Sequence, residues 1–148
     1  MVSQIRGYRN HNPGNIRENQ RVDYDWEGEA RADSDGEFEE FDSPEFGIRA
    51  MARILKTYNT RHDLKTVRAI INRWAPPSEN HTESYIRAVC LRMGITEQTR
   101  LNLTNNAVAL QSLIKSVIHH ELGCQPYSDE LIDTGIRWER DGVPGSLR

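Results

Sequence analysis

The stretch running from Asn105 to Gly123 constrains this chain more than any other. Its aliphatic residues Leu110, Leu113, Ile114, Val117 and Ile118 recur at i, i+3, i+4, i+7 and i+8, the stripe of a helix with one buried face. Gly123 supplies a stop at its end. Such a helix needs neighbours to cover it, so the chain around it has to build a packed core. One residue breaks the pattern. Glu121 lies eleven steps after Leu110, and at about 100° per step it returns to within about 20° of the same direction. A carboxylate therefore points where core side chains point, at the negative end of the helix dipole. Desolvation and the dipole both disfavour its charged form there, and a carboxyl that keeps its proton is what general acid catalysis uses. A plainer reading stands beside this one: a Glu in a last helical turn often swings out to water or pairs with Arg or Lys.

The length of 148 residues suits one domain, large enough to bury about two-thirds of its unfolded surface. Residues 1–140 are read as that domain and 141–148, with two Gly and one Pro, as a flexible tail. A net charge of −3 and a pI near 6.0 give no nucleic-acid footprint. Eleven acids and a single base, Arg31, lie between Asp23 and Glu45. That run argues against a duplex-binding face and reads as a solvated surface. Asp33-Ser34-Asp35-Gly36 within it is a weak cation-site candidate, since the twelve-residue calcium-loop pattern is missing. No apolar run approaches the roughly 18 residues of a membrane span. The first six residues lack the apolar region of a signal peptide. Synthesis in a host cytoplasm, without export on its own signal or membrane insertion, is the expectation. Cys90 and Cys124 have no metal spacing and read as reduced thiols, with a disulfide left open.

The first 43 residues are polar and turn-rich, punctuated by Gly7, Pro13-Gly14, Gly28 and Asp35-Gly36. Around Asp35-Gly36, the flanks Tyr24-Asp25-Trp26 and Phe38 to Phe41 predict a short β-hairpin. Helices follow. Ser43 and Pro44 open one that runs to about Tyr58, with Gly47, Met51, Ile54, Leu55 and Tyr58 inward. A second carries Val67, Ile70, Ile71 and Trp74 and stops at Pro76-Pro77. Asn80 with Glu83 resembles a capping box for a third, whose inner face is Tyr85, Val89, Cys90 and Met93. After the Glu121 helix, Ser128 caps a last one carrying Leu131, Ile132 and Ile136. The fold class is mainly α, in the α+β sense, with one small β element near the N-terminus.

Three clusters carry possible chemistry. Asn10 to Arg17 is dense in amides around Pro13-Gly14. It is a turn by composition, and the same amides suit sugar hydroxyls and N-acetyl groups. The stretch from Trp74 to Tyr85 sets two aromatics on either side of a polar loop, a pairing that suits the apolar faces and polar edges of carbohydrate. Trp74 also completes a core stripe, the better reading for its ring. His119-His120-Glu121 does not converge on one helical face and lacks the His-Glu-x-x-His spacing, so no zinc site is expected. No nucleophile elbow or phosphate loop is present, and Cys124 near His120 does not make a thiol site.

Taken together, several strings carry a family resemblance. Arg9-Asn10-x-Asn12-Pro13-Gly14-Asn15-Ile16-Arg17, Trp26-x-Gly28 and Phe38-x-x-Phe41-Asp42-Ser43-Pro44-Glu45-x-Gly47-Ile48-Arg49-Ala50 come first. Arg73-Trp74-Ala75-Pro76-Pro77-x-Glu79-Asn80-x-Thr82-x-x-Tyr85-Ile86 and His120-Glu121-x-Gly123-x-Gln125-Pro126-Tyr127 follow. These resemble a family of small phage virion-associated, lysozyme-like proteins, often described only as structural proteins. A more distant similarity is to the lysin of enveloped double-stranded-RNA phages. The order of the pieces is unusual. In bacterial glucosaminidases a helix ending in the catalytic Glu precedes an Asn-rich string, then Trp-x-Gly, then a Phe-x-Ser strand end. Here Asn12 to Ile16, Trp26-x-Gly28 and Phe41-x-Ser43 resemble the later pieces, while the helix ending in Glu sits near the C-terminus. The resemblance therefore implies a circularly permuted lysozyme-like domain, which close-lying termini make feasible.

What the resemblance implies about function is a peptidoglycan hydrolase of muramidase or lytic transglycosylase type. Glu121 would protonate the glycosidic oxygen, and Asn12, Asn15, Asn80, Tyr85 and Tyr127 would hold the glycan strand. Glycoside hydrolysis ordinarily uses two carboxylates. Only Glu18 and Asp25 offer themselves as a second, so the single-Glu transglycosylase scheme is preferred. No cofactor or metal is implied. Expected partners are peptidoglycan strands and other virion proteins, with the protein acting at the cell wall as a virion component. The alternatives are a non-catalytic virion or scaffold protein on the same fold, or a murein peptidase.

Overall fold

A computed structural model describes residues 1–19, 25–32, 34–78 and 80–147. Among these, the chain is mainly helical and has no extended strand ladder. A 3-10 turn at Val2–Gln4 leads into α1 (Arg6–Arg9). The long helices are α2 (Pro44–Thr60), α3 (Val67–Trp74), α4 (Thr82–Met93), α5 (Ala107–Leu122) and α6 (Asp129–Asp141). A second 3-10 turn covers Gly145–Leu147.

Local chemistry sets most helix boundaries. Pro44 occupies the first turn of α2 after an extended Ser43, whose hydroxyl makes no capping bond. Thr66 caps α3 by accepting from Ala69 N–H. That helix ends at Ala75, where Pro76 disfavours helical geometry in the residue before it. Asn106 and Ser128 cap α5 and α6 through the amides of Ala109 and Leu131. Gly123 closes α5 at φ 74°, in the left-handed region. The expected Asn80–Glu83 capping box does not form. His81 is the N-cap residue of α4 and contributes no side-chain bond. Asn80 turns back to Pro76 O at 3.3 Å. Glu83 is drawn instead to Arg68 by two bonds of 2.8 and 2.9 Å, and a bidentate charged pair outcompetes a neutral backbone donor.

The core forms around α5, whose Leu110, Leu113, Ile114, Val117 and Ile118 are all buried. α4 lies along one side of α5 and also meets α3, while α2 packs chiefly on α6. Gly135 makes that last contact close. A Cβ there would lie 2.7 Å from Ile48 Cβ and 2.8 Å from Glu45 O, so a larger residue would force the helices apart. Across the same junction the nearly buried Glu139 takes Lys56 at 2.6 Å and Arg53 at 3.0 Å. Buried Asn59 ties α2 to the loop before α5, donating to Leu64 O and Leu101 O and accepting from Leu103 N–H. α6 runs to Asp141, Val143 is buried, and the following residues form the last 3-10 turn.

The expected hairpin is replaced by a different arrangement. Residues 37–42 run between 16–18 and 28–30, with isolated antiparallel bridges at Arg17–Phe38 and Glu29–Phe41. Tyr24 lies outside the described residues. Trp26 O accepts Glu29 N–H in a turn rather than sitting opposite Phe41. Asp35 explains why its neighbourhood is no simple two-residue turn. It accepts both Arg6 Nε and Nη2 at 2.6 Å, Asn10 Nδ2 at 2.9 Å, and the amides of Glu37 and Phe38. The Arg6 guanidinium holds the Asp35 carboxyl far below the ordinary carboxylate range. So the acidic run is not uniformly solvated: Asp35 anchors α1, and Glu39 is buried. The cation-site candidate is overturned at Asp35, whose oxygens serve Arg6; Asp33 lies outside the described residues.

Candidate functional site

Glu121 stands on the last turn of α5, half-buried. Both of its oxygens accept a hydrogen bond from a distant part of the chain. Asn15 Nδ2 donates to Oε1 at 2.8 Å, across 106 residues. Tyr85 Oη donates to Oε2 at 2.6 Å. The carboxylate is thus held in one orientation by two side chains, while its own partial exposure leaves it open to a ligand. Neither the simple core placement nor a frayed, solvated Glu describes it. Gly123 beyond it is exposed, and a Cβ there would meet nothing within 4 Å, so the helix ends at open surface.

Asn15 reaches Glu121 because the preceding loop is rigid. Asn12 is fully buried and saturated: its amide donates to Ile16 O at 2.9 Å and Glu39 O at 3.0 Å, and its oxygen accepts Ile16 N–H at 2.9 Å. Those three bonds hold the loop like a rivet, and Asn15 adopts φ 51° within it, a conformation Asn tolerates better than most residues. Gly7 of α1 leaves the needed space. A Cβ on Gly7 would sit 2.7 Å from Asn15 Oδ1 and 2.9 Å from Leu122 Cδ2. Gly14 likewise lies against Trp74 and Met51, with no room for a Cβ.

On the other side, Tyr85 projects from the first turns of α4 and is buried. Trp74 of α3, whose indole N–H is a donor only, lies on the same side and slightly opposes the rise in the Tyr85 pKa. The hydrogen bond that fixes its direction is the one Tyr85 donates to Glu121. Burial, then the Glu121 charge, push the Tyr85 phenol well above its ordinary range, so it stays protonated as the donor. His120 stacks on the Tyr85 ring with centroids 3.8 Å apart and planes at 28°. Burial lowers the His120 pKa, followed by opposing effects of Glu121 (raising) and Arg92 and His119 (lowering).

The structure therefore brings Glu121, Asn15 and Tyr85 together and leaves three expected substrate residues elsewhere. Asn12 has no free polar group, because loop closure uses them all. Asn80 is exposed in the loop before α4 and bonds Pro76. Tyr127 is buried against Tyr8, ring centroids 5.9 Å apart, and its hydroxyl has no partner among the described residues; it belongs to the packing of α1. Neither Glu18 nor Asp25 bonds Glu121: Glu18 N–H pairs with Glu37 O, and Asp25 lines a separate hollow. That hollow, about 560 Å³ beside Trp26 and Phe46, and another of about 500 Å³ beside Lys65 and Arg100, both lie away from Glu121. Cys90 and Cys124 are unbonded thiols. Among the described residues no three His, Cys, Asp or Glu side chains are grouped to hold a metal. No helix there is long and apolar enough to cross a membrane. Sequence reasoning missed Trp74 as a neighbour of the Tyr85 hydroxyl, the His120 stack and the Gly7 clearance. The first two were signalled by aromatic or imidazole rings flanking the chosen residues; Gly7 carried no signal.

A comparison of sequences adds the family. Over 133 residues the chain is 43% identical to Protein P5 of Pseudoalteromonas phage PM2, a match spanning 90% of this chain and 81% of that protein. The chain belongs to the Protein P5 family. No general family model matches it. The relationship reaches nearly the whole chain and so includes at least one side of the Glu121 site. It places the protein among phage proteins.

Proposed function

We propose that this phage protein cleaves the glycan strand of peptidoglycan, with Glu121 as the acid, on a circularly permuted lysozyme-like domain. One observation carries the reading: side chains from residues 15 and 85 converge on the two oxygens of a half-buried carboxylate. Joining the amino-terminal Asn loop to the end of a carboxyl-terminal helix is what a permuted arrangement demands. In the reaction, protonated Glu121 gives its proton to the glycosidic oxygen as the bond to the anomeric carbon breaks. With no second carboxylate bonded to it, the same Glu121 then takes the proton from the sugar hydroxyl that attacks that carbon, closing an anhydro ring. Tyr85 and Asn15 hold the carboxylate in place through both steps. As a virion component the protein would open the wall locally during entry or release.

A second reading is favoured by one specific feature. Both Glu121 oxygens already have internal partners, and the two hollows described above lie elsewhere, as in a non-catalytic virion protein whose Glu121 only ties three segments together. Zymography on purified murein with wild type and Glu121→Gln separates the two. Clearing by wild type alone supports the acid role. Equal clearing by both proteins removes Glu121 from the mechanism, and none by either supports the structural role. Mass analysis of the fragments distinguishes anhydro-sugar from reducing-end products.

A further inference from the structure

His120, next to Glu121 on α5, is an exposed ring. One face of its imidazole lies on the Tyr85 ring at 3.8 Å, which fixes its plane. The same Tyr85 bonds Glu121, so the imidazole and the carboxylate meet the same phenol side chain. α5 ends nearby at exposed Gly123.

We propose that the outer face of His120 is a stacking platform for one hexosamine ring, forming a sugar subsite next to Glu121. This deepens the glycan-cleaving reading and rests on it. A pyranose offers a flat apolar face of C–H groups to a ring and hydroxyls at its edge. The outer face of an imidazole held against Tyr85 meets the first, and its edge nitrogens can donate to or accept from the second. Pre-stacking on Tyr85 removes the rotamer freedom that a lone exposed His would lose on binding. The charged and titratable neighbours are Tyr85 and Arg92 of α4 and His119 and Glu121 of α5. Burial and the Arg92 charge favour the neutral ring, the form best suited to contact with C–H groups.

The competing role is a shield, in which His120 only covers the buried Tyr85. Three full-length variants separate the two, each made in the Glu121→Gln background so that no cleavage intervenes. They are titrated with β-1,4-linked N-acetylglucosamine hexamer by calorimetry, with thermal melts to check folding. The platform predicts that His120→Ala and His120→Leu bind about three- to tenfold more weakly, while His120→Phe keeps its affinity. Leu covers Tyr85 but has no flat face. Equal affinity for the Leu and Phe variants overturns the platform alone. Hexamer binding with the expected pattern, but no murein cleavage by wild type, overturns the catalytic reading alone. Absence of hexamer binding by the Glu121→Gln chain itself overturns the subsite.

Discussion

Replacing Tyr85 with Phe deletes one oxygen and leaves the ring, its burial and its stack with His120 in place. One bond is lost, the 2.6 Å bond to Glu121 Oε2. A hydrogen bond to a charged group contributes about 1.5–3 kcal/mol net. Glu121 is half-exposed, and solvent can partly replace the donor, which favours the lower half of that range. For a chain of this size, 1.5–3 kcal/mol corresponds to a fall in melting temperature of roughly 3–12 °C. The structure makes a sharper claim about coupling. Tyr85→Phe and Glu121→Gln act on the same bond, so the double variant loses less than the sum of the singles, by about 1 kcal/mol or more. Urea denaturation followed by circular dichroism on all four proteins, with matching m values, measures this. Losses that add to within about 0.5 kcal/mol would show that the two side chains do not hold each other, and the positioning argument for Glu121 would fall with them.

The Arg6–Asp35 pair gives the chain an acid-sensitive contribution. The Asp35 carboxyl is lowered in the folded state, so its stabilisation is fully present above the ordinary carboxylate range and is lost as pH falls below it. Arg6→Ala flattens that part of a stability–pH curve measured by chemical denaturation; an unchanged acid limb would refute the assignment. Gly28 and Gly94 both have positive φ, at 79° and 70°. A Cβ at Gly28 would run into the Phe46 ring, whereas at Gly94 it meets nothing within 4 Å. Gly94→Ala should therefore cost about 1 kcal/mol and Gly28→Ala clearly more, as read from melting temperatures.

Wherever a helix announced itself by periodicity, the sequence was a good guide. α3 spans Val67–Trp74 as the Pro76-Pro77 stop predicts, and Gly123 and Ser128 mark their boundaries. Phase alone located Glu121 on the inward side of α5. What the phase could not show is that the inward direction there meets two polar donors, because Asn15 and Tyr85 reach it through tertiary packing. The same limit explains the errors. Asn12 and Asn15 are two amides of one turn, yet only the backbone path decides that Asn12 closes the loop and Asn15 reaches outward. Glu83 has a capping-box spacing, and Arg68, fifteen residues away, takes it. Tyr127 shares a string with Glu121 but lies across the Gly123 turn, against Tyr8.

The bond between Asn15 and Glu121 also bears on when the site comes into being. Closing a loop of 106 residues carries a larger entropic cost than any local contact in α5, and contacts of such separation slow folding. The Asn15 loop is synthesised well before its carboxylate partner, which lies 106 residues further along. Glu121 thus acquires both donors only once segments far apart in the sequence have docked on α5. Loss of the Asn15 loop or of α4 leaves one carboxylate oxygen without its protein partner, so assembly of the site reports the docking of those two segments on α5.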